Sequence, residues 1–502
     1  MTVIQTGKHP KVRSVYRVTG VSQDTTFGVH NNTLVNLRRG LMERVYNVET
    51  PAGLAPPPRA KPGIYDMTLS TRRDEILGNV PMSAPCTADE FVSLYAGDRR
   101  QKVYALARDS LKVRQLEGRD AALSTFVKAE KFNMSKKRDP APRVIQPRSP
   151  RFNLEVGRYL KRMEKKIYES IAKIHGGHTV MKGLNGEQTG AEFHRKWNRF
   201  HRPVAVGLDA SRFDQHVGEQ ALRWEHSVYL GCVYPQFRKH LASLLEMQID
   251  NRGVARASDG VIKYRIKGCR MSGDMNTALG NCLLMCTLVR QWCCSQGVGY
   301  ELANNGDDCV VIMESADLVR FSKGLDHFFL DYGFTMKVEA PVYKLEEIEF
   351  CQTHPVCING HWLMVRDGLT AMAKDSHTVL GLHTNSDAKA WLGAIGECGM
   401  ALSGGVPIFQ EYYQTLLRNA EGHRVGSHPA LESGFARLAA GMHRNYGPIS
   451  DATRVSFYWA FGLLPSWQIK LEERLRQSVV DMQRYHRKES TQDQSFLLTR
   501  TA

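Results

Sequence analysis

The chain has no apolar run approaching the roughly 18–20 residues of a bilayer-spanning helix, so no helical membrane span is expected. Its opening stretch, MTVIQTGKHPKVRSVYRVTG, lacks the apolar core of a signal peptide, so no secretory leader is expected there. The eleven cysteines show no CxxC spacing, which argues against a structural zinc or a disulfide framework. The tightest groups, Cys282/Cys286 and Cys293/Cys294, fall in one predicted helix and read as buried thiols of a reducing, intracellular protein. No internal repeat is visible.

What the chain does hold is positive charge, unevenly placed. The formal net charge is +16; residues 1–200 carry 36 Lys and Arg against 19 Asp and Glu, whereas residues 201–502 carry 31 against 32. Within the second part, residues 301–350 carry 4 basic and 11 acidic side chains. A basic front half facing an acidic pocket suits a polyanion channel leading to a cation-binding site, although a solvated basic surface gives the same count. At 502 residues and 42% hydrophobic content, there is room for two to four packed sub-domains.

The acidic region centres on Gly299–Met313, GYELANNGDDCVVIM. Tyr300–Asn304 and Cys309–Met313 read as short strands, and Asn305-Gly306 as the turn between them, because both residues tolerate positive φ. Asp307 and Asp308 follow at once. Two adjacent acids at a tight turn repel each other unless cations neutralise them, and pairs of Mg²⁺-like ions serve nucleotidyl transfer. An exposed acidic turn reads the same way on these three residues alone. Upstream, Val204–Leu208 is a buried-strand pattern ending at Asp209, with Asp214 five residues on. A strand-end acid is well placed to hold a metal; a helix cap is the rival reading of either acid.

Ser272-Gly273 forms a flexible loop at the start of the apolar helix 278–293. Thr277 and Asn281, four apart, share one face of that helix and can reach one partner together or satisfy a core network. The segment Phe126–Arg151 carries Lys128, Lys131, Lys136, Lys137, Arg138, Arg143, Arg148 and Arg151 against Glu130 and Asp139. Its four prolines predict an extended loop whose fixed cations could guide a triphosphate; an import-like or disordered basic stretch is the rival reading. In the helical stretch Thr87–Leu116, Arg99 and Arg100 sit among aromatics, as on a single-strand track or an exposed basic face.

Elsewhere the pattern predicts a strand over 14–20, a helix from Leu34 capped by Asn31-Asn32-Thr33, and a stiff linker over 51–63. Helices follow at 153–173, 219–231 and Leu318–Tyr332, and strands at 261–267 and 333–338. Ile348–Ile358 and Trp362–Arg366 read as a second hairpin, residues 386–485 as mostly helical, and 486–502 as a frayed tail. The element order predicts a small antiparallel sheet backed by helices.

In this order, Asp209-x4-Asp214, Ser272-Gly273-x3-Thr277-x3-Asn281 and Gly306-Asp307-Asp308 resemble motifs A, B and C of viral RNA-dependent RNA polymerases. FVKAEK, DPAPRVIQPRSPRFNLEVGRYL, GLDASRFDQHV and NNGDDC resemble the polymerases of plant viruses in the tombusvirus family, especially its carmovirus-like branch. The resemblance implies an α+β right hand: N-terminal segment and fingers over 1–200, palm over 201–217, a fingers insertion over 218–268, palm over 269–366, thumb and tail over 367–502. It implies RNA-directed RNA synthesis on a positive-strand viral genome. Asp209, Asp307 and Asp308 would hold two Mg²⁺ or Mn²⁺ ions, one lowering the pKa of the primer 3′-hydroxyl and one stabilising the pyrophosphate leaving group. Lys337 would be the proton donor to pyrophosphate, and Lys131 and Arg143 would clasp the triphosphate. Asp214, Thr277 and Asn281 would read the ribose 2′-hydroxyl, and Ser272 and Gly273 would lie against the template or nascent pair. Phe350-Cys351-Gln352 falls at the primer grip, and Arg99, Arg100, Lys136, Lys137 and Arg138 complete the expected RNA-contacting set.

The expected partners are template and nascent RNA, ribonucleoside triphosphates, and an upstream or separate viral replicase protein that anchors to membrane. The expected location is the host cytoplasm, in a membrane-associated replication complex reached through that partner. A reverse transcriptase shares the palm acids but usually blocks the 2′-hydroxyl with a bulky side chain. A non-enzymatic RNA-packaging protein explains the basic half and leaves the acids without purpose.

Overall fold

The apolar run around Val206 forms the middle of a sheet. Pro203–Ala210 lies between Asp308–Glu314 and Met336–Val338, and Tyr300–Asn305 completes four antiparallel strands. Successive side chains of a strand point to opposite faces. Val204, Val206, Leu208 and Ala210, with Val311 and Met313 of the neighbouring strand, therefore enter one large core, packed with residues of the helices Pro150–Ile174, Glu219–Gly231 and Thr277–Gln296. Ala205, Val310 and Ile312 face the other way, onto Phe193, Ile348 and Phe350. Asp209 and Asp308 continue that second face past its apolar part.

The structure, a computed structural model, describes residues 1–18, 20–21, 25–422, 438–480 and 489–490. A five-stranded sheet joins distant parts of the chain in the order Thr2–Gln5, Gly260–Lys267, Asp250–Ala257, Leu123–Val127, Val144–Ile145. The basic segment thus leaves this sheet after Val127 and returns to it at Val144. In between, Lys131–Asn133 pairs with Phe27–Val29. The C-terminal part builds a second core from the helices Asn385–Ser403, Phe409–Asn419, Asp451–Phe461 and Pro465–Gln477. The hairpin Thr353–Ile358/His361–Arg366 and the N-terminal residues Tyr16 and Val18 pack into that core.

Several sequence expectations shift. The turn between the acidic strands is Gly306-Asp307, not Asn305-Gly306: Asn305 pairs with Asp308, and Gly306 takes φ +84° at the first turn position, where a type II′ turn needs glycine. Residues 318–332 are two helices, Leu318–Ser322 and Leu325–Asp331, because Gly324 turns left-handed between them. The strand expected over 14–20 is Ser14–Arg17 only, and Gly53–Ala55 of the expected linker pairs with Val48–Thr50. Thr87–Leu116 divides into Ala88–Ser93 and Arg100–Val113. The helix Pro235–Glu246 and the strand Asp250–Ala257 carried no prediction. Of the expected tail, 486–488 and 491–502 lie outside the described residues, while Glu489 and Ser490 pair with Val15 and Ser14. Among the described residues no helix is long and apolar enough to cross a membrane.

Candidate active site

Backbone register alone brings the acids together. Asp209 stands directly opposite Asp308 on one side and Lys337 on the other. Asp307 occupies the turn beside Asp308. The turn is clamped by buried Asn304, whose side-chain amide donates to the Gly306 carbonyl at 2.7 Å and whose Oδ1 accepts from the Gly306 N–H at 3.2 Å. Lys182 and the Cys351 thiol flank it through the Asn305 side chain, at 2.9 and 3.2 Å. Among the described residues no basic side chain pairs with Asp209, Asp307 or Asp308. Burial, then the neighbouring Asp307 and Asp209, push the Asp308 carboxyl above its ordinary range. Glu339 adds to this negative face: its carboxylate lies over Gly207, where any Cβ would collide with it. Burial and Glu349 raise its pKa in turn.

After Asp209 the chain reverses through Arg212, in the left-handed region at φ +49°, into the short helix Phe213–His216. That reversal carries Asp214 over the acids. The Asn281 amide donates to Asp214 Oδ1 at 2.7 Å, and Asn281 Oδ1 is buried without a partner. Burial holds the Asp214 carboxyl above its ordinary range, against the lowering effect of Asn281 and Arg270. Thr277 does not join this pair. Its hydroxyl donates to the carbonyls of Met271 and Asp274, at 3.1 and 3.0 Å, in the first turn of the helix. Ser272 and Gly273 lean on the basic segment: the Ser272 carbonyl accepts from Gln146 N–H at 2.7 Å, and Gly273, at φ +119°, packs against Pro147.

The basic residues divide. Arg143 is half exposed, 3.3 Å from Glu130, and near enough to Asp214 to lower its pKa. Arg44 and Arg212, which the sequence reading left out, stand near it. Burial and the charges of Arg212 and Arg143 press the Arg44 guanidinium down to about 10. Arg212, 3.7 Å from Glu49, and Arg143 thus bear on Arg44 beside Asp214, and together the three give a basic patch suited to an anion. Arg212 lies within the quoted GLDASRFDQHV; Arg44 has no local signal. Lys131 is elsewhere. Its amine donates to the carbonyls of Lys374, at 2.5 Å, and His377. Lys136 donates to Thr370 at 3.1 Å and joins Phe350, Cys351 and Gln352 in lining a cavity of about 560 Å³ beside the acidic turn. Cys351 and Gln352 both adopt positive φ in the tight turn between Phe350 and Thr353. Lys337 and Glu339 line a separate cavity of about 350 Å³. Lys137 and Arg138 are exposed. Arg100 is paired with Asp98 at 2.6 Å over the Tyr95 ring, and Arg99 precedes its helix.

A family model described as viral RNA dependent RNA polymerase matches residues 1–483. The chain belongs to that family. It is 46% identical over 475 residues to the RNA-directed RNA polymerase of tobacco necrosis virus (strain A), covering 94% of this chain and 65% of the relative. The RNA-directed RNA polymerases of turnip crinkle virus and carnation mottle virus are 45% and 43% identical, over 94% and 96% of this chain and 61% and 64% of their own lengths. The chain therefore spans a little under two thirds of these curated relatives. As a viral RNA-dependent RNA polymerase family member it has the right-hand fingers–palm–thumb fold. In that hand the four-stranded sheet bearing the acids is the palm.

The donor set fits a hard divalent cation. Among the described residues no three His, Cys, Asp or Glu side chains are drawn together closely enough to hold an ion unaided. Mg²⁺ is usually bound through one or two carboxylates with its remaining positions filled by water and substrate phosphates, so adjacent, unneutralised Asp209 and Asp308 are suitable ligands.

Proposed function

We propose that the chain is an RNA-dependent RNA polymerase that copies a positive-strand viral genome, adding ribonucleotides to an RNA 3′-hydroxyl with release of pyrophosphate. The observation that carries this reading is the side-by-side placement of Asp209 and Asp308, with Asp307 at the turn and, among the described residues, no basic partner for any of the three. Bound there, two Mg²⁺ or Mn²⁺ ions would supply activation of the 3′-hydroxyl and charge stabilisation of the leaving group. Asp209, Asp307 and Asp308 would hold them. Arg143, aided by Arg44 and Arg212, would orient the triphosphate by charge-assisted hydrogen bonds. The unpartnered Asn281 Oδ1, beside Asp214, would accept from the ribose 2′-hydroxyl, a donor that a deoxyribonucleotide lacks. Ser272 and Gly273 would support the template, and the Phe350–Gln352 turn with Lys136 the growing strand. Lys337 remains a candidate proton donor by its place beside Asp209.

In the proposed domain assignment, residues 1–200 would be the N-terminal segment and fingers, 201–217 palm, 218–268 a fingers insertion, 269–366 palm, and 367–502 thumb and C-terminal tail. A separate or upstream replicase protein would tether the polymerase to host membrane in the cytoplasm. The experiment is nucleotide incorporation on a defined RNA template with Mg²⁺. Ribonucleotides are incorporated in preference to deoxyribonucleotides, and Asp307→Asn reduces incorporation by about 10³-fold or more. Undiminished synthesis by Asp307→Asn would end the proposal.

A further inference from the structure

A buried ion pair lies behind the ribose-reading residues and belongs to none of the roles above. Glu225, on the helix Glu219–Gly231, and Arg270, in the segment before Thr277–Gln296, are both fully buried and form a two-point ion pair. Burial of such a pair contributes little net stability, because desolvation of both ions offsets their attraction. Its contacts say what it does. Glu225 Oε1 also accepts from the Asn276 amide at 2.7 Å and the Tyr229 hydroxyl at 2.8 Å. Asn276 Oδ1 in turn accepts from the Gln248 amide at 3.0 Å. Asn276 immediately precedes the helix that carries Asn281. Gly280, one residue before Asn281, has no room for a side chain: a Cβ there would stand 2.4 Å from Glu225 Oε1 and 2.5 Å from Arg270 Nη2. On the other side, the Arg270 backbone N–H donates to the Asp214 carbonyl at 3.0 Å. One ion pair therefore touches both supports of the Asp214–Asn281 contact: the main chain of Asp214 and the first turn of the Asn281 helix.

We infer that Glu225 and Arg270 are positioning residues for sugar selection, holding the Asp214 backbone and the Asn281 helix at the separation that aims both side chains at a 2′-hydroxyl. This rests on the polymerase reading and deepens it. Neither residue touches substrate. With the pair weakened, Asp214 and Asn281 persist but lose their fixed spacing, and the loss falls on the one hydrogen bond that distinguishes a ribonucleotide.

The test compares kcat/KM for a ribonucleoside triphosphate and its 2′-deoxy analogue on one RNA template, for the wild type, Glu225→Gln, Tyr229→Phe and Asp214→Ala. The ratio of the two constants cancels the fraction of active protein, so a variant that merely folds poorly lowers both together. Glu225→Gln is expected to lower the ribo-to-deoxy ratio by about tenfold or more, and Tyr229→Phe, which removes a single hydrogen bond, by about two- to threefold. If Glu225→Gln does not fold, the Tyr229→Phe shift decides. Equal losses on both substrates, or an unchanged ratio in the folded variants while Asp214→Ala lowers it, would overturn the positioning role alone. An unchanged ratio in Asp214→Ala would overturn the ribose assignment, and no incorporation of either nucleotide by the wild type would overturn the polymerase reading with it.

Discussion

The acidic face of the palm sheet and the basic segment 126–151 each concentrate one sign of charge, but only the first leaves it uncompensated. Asp209, Asp307 and Asp308 are set side by side by strand register, and among the described residues no cation answers them. The basic segment is largely engaged by the fold. Arg148 is buried, with Asp274 at 2.5 Å and Asn251 at 2.6 Å, and Arg151 holds Asp120 at 3.1 Å. Lys131 is committed to two carbonyls, and Lys128 pairs with Glu130 at 2.7 Å. An excess of charge in a sequence is thus not a count of charges free for a ligand. Adjacent strands held in fixed register cannot neutralise their own like charges, whereas a loop can bend each cation onto a partner.

The strongest test of this contrast pairs one residue from each region. Asp209→Asn is expected to abolish nucleotide incorporation, by about 10³-fold or more, with no loss of unfolding free energy, because it removes an unpartnered charge. Arg148→Met does the reverse. It strands Asp274 in the interior and is expected to lower stability by about 3–5 kcal/mol, read by denaturant unfolding. Equal effects of both variants on stability would erase the distinction.

A smaller effect sharpens it. The Asp308 carboxyl has a raised pKa, so its ionised form is penalised in the folded state. Asp308→Asn is expected to raise the melting temperature near neutral pH, by only about 1 °C because solvent screens part of the repulsion. The sign follows from linkage. The native state binds the proton more tightly than the unfolded chain, so the penalty is present above the raised pKa and relieved as pH falls through it. The gain in the variant therefore shrinks in acid. Millimolar Mg²⁺ or Mn²⁺ raises the melting temperature of the wild type more than that of Asp308→Asn. A variant less stable than the wild type at neutral pH would show that the acid is internally compensated after all.

How far the sequence discloses this site depends on how local each signal is. Val204–Leu208 and Cys309–Met313 announce their strands by composition, so the acids at their ends are legible before any fold is known. The turn is misplaced by one residue because Asn305-Gly306 and Gly306-Asp307 are both turn-formers, and only the pairing of Asn305 with Asp308 selects between them. Glu339 lies two residues past Lys337, just beyond the strand Met336–Val338, so continuing the strand's alternation could have found it. Gly324 could have divided the helix 318–332 in the same way. Lys131 could not be placed by such means, since the carbonyls it meets lie 243 and 246 residues away. Glu225 likewise reads as one more polar residue of an amphipathic helix until Arg270 is folded against it.

The weakest prediction concerns the basic charge that does remain. In the basic segment Lys137 and Arg138 are exposed, whereas Lys136 is tied to Thr370. RNA affinity is expected to fall with salt, and each phosphate contact on a single strand contributes about 0.7 to the slope of log affinity against log salt. Neutralising Lys137 and Arg138 together is then expected to reduce the slope by about 1.4, whereas Lys128→Gln or Arg151→Gln changes it little because those cations are already answered by protein carboxylates. Equal slope changes for all four would mean that RNA draws the engaged cations off their partners. The basic segment would then be a reservoir of charge opened by its ligand, and the contrast with the acidic face would hold only for the free protein.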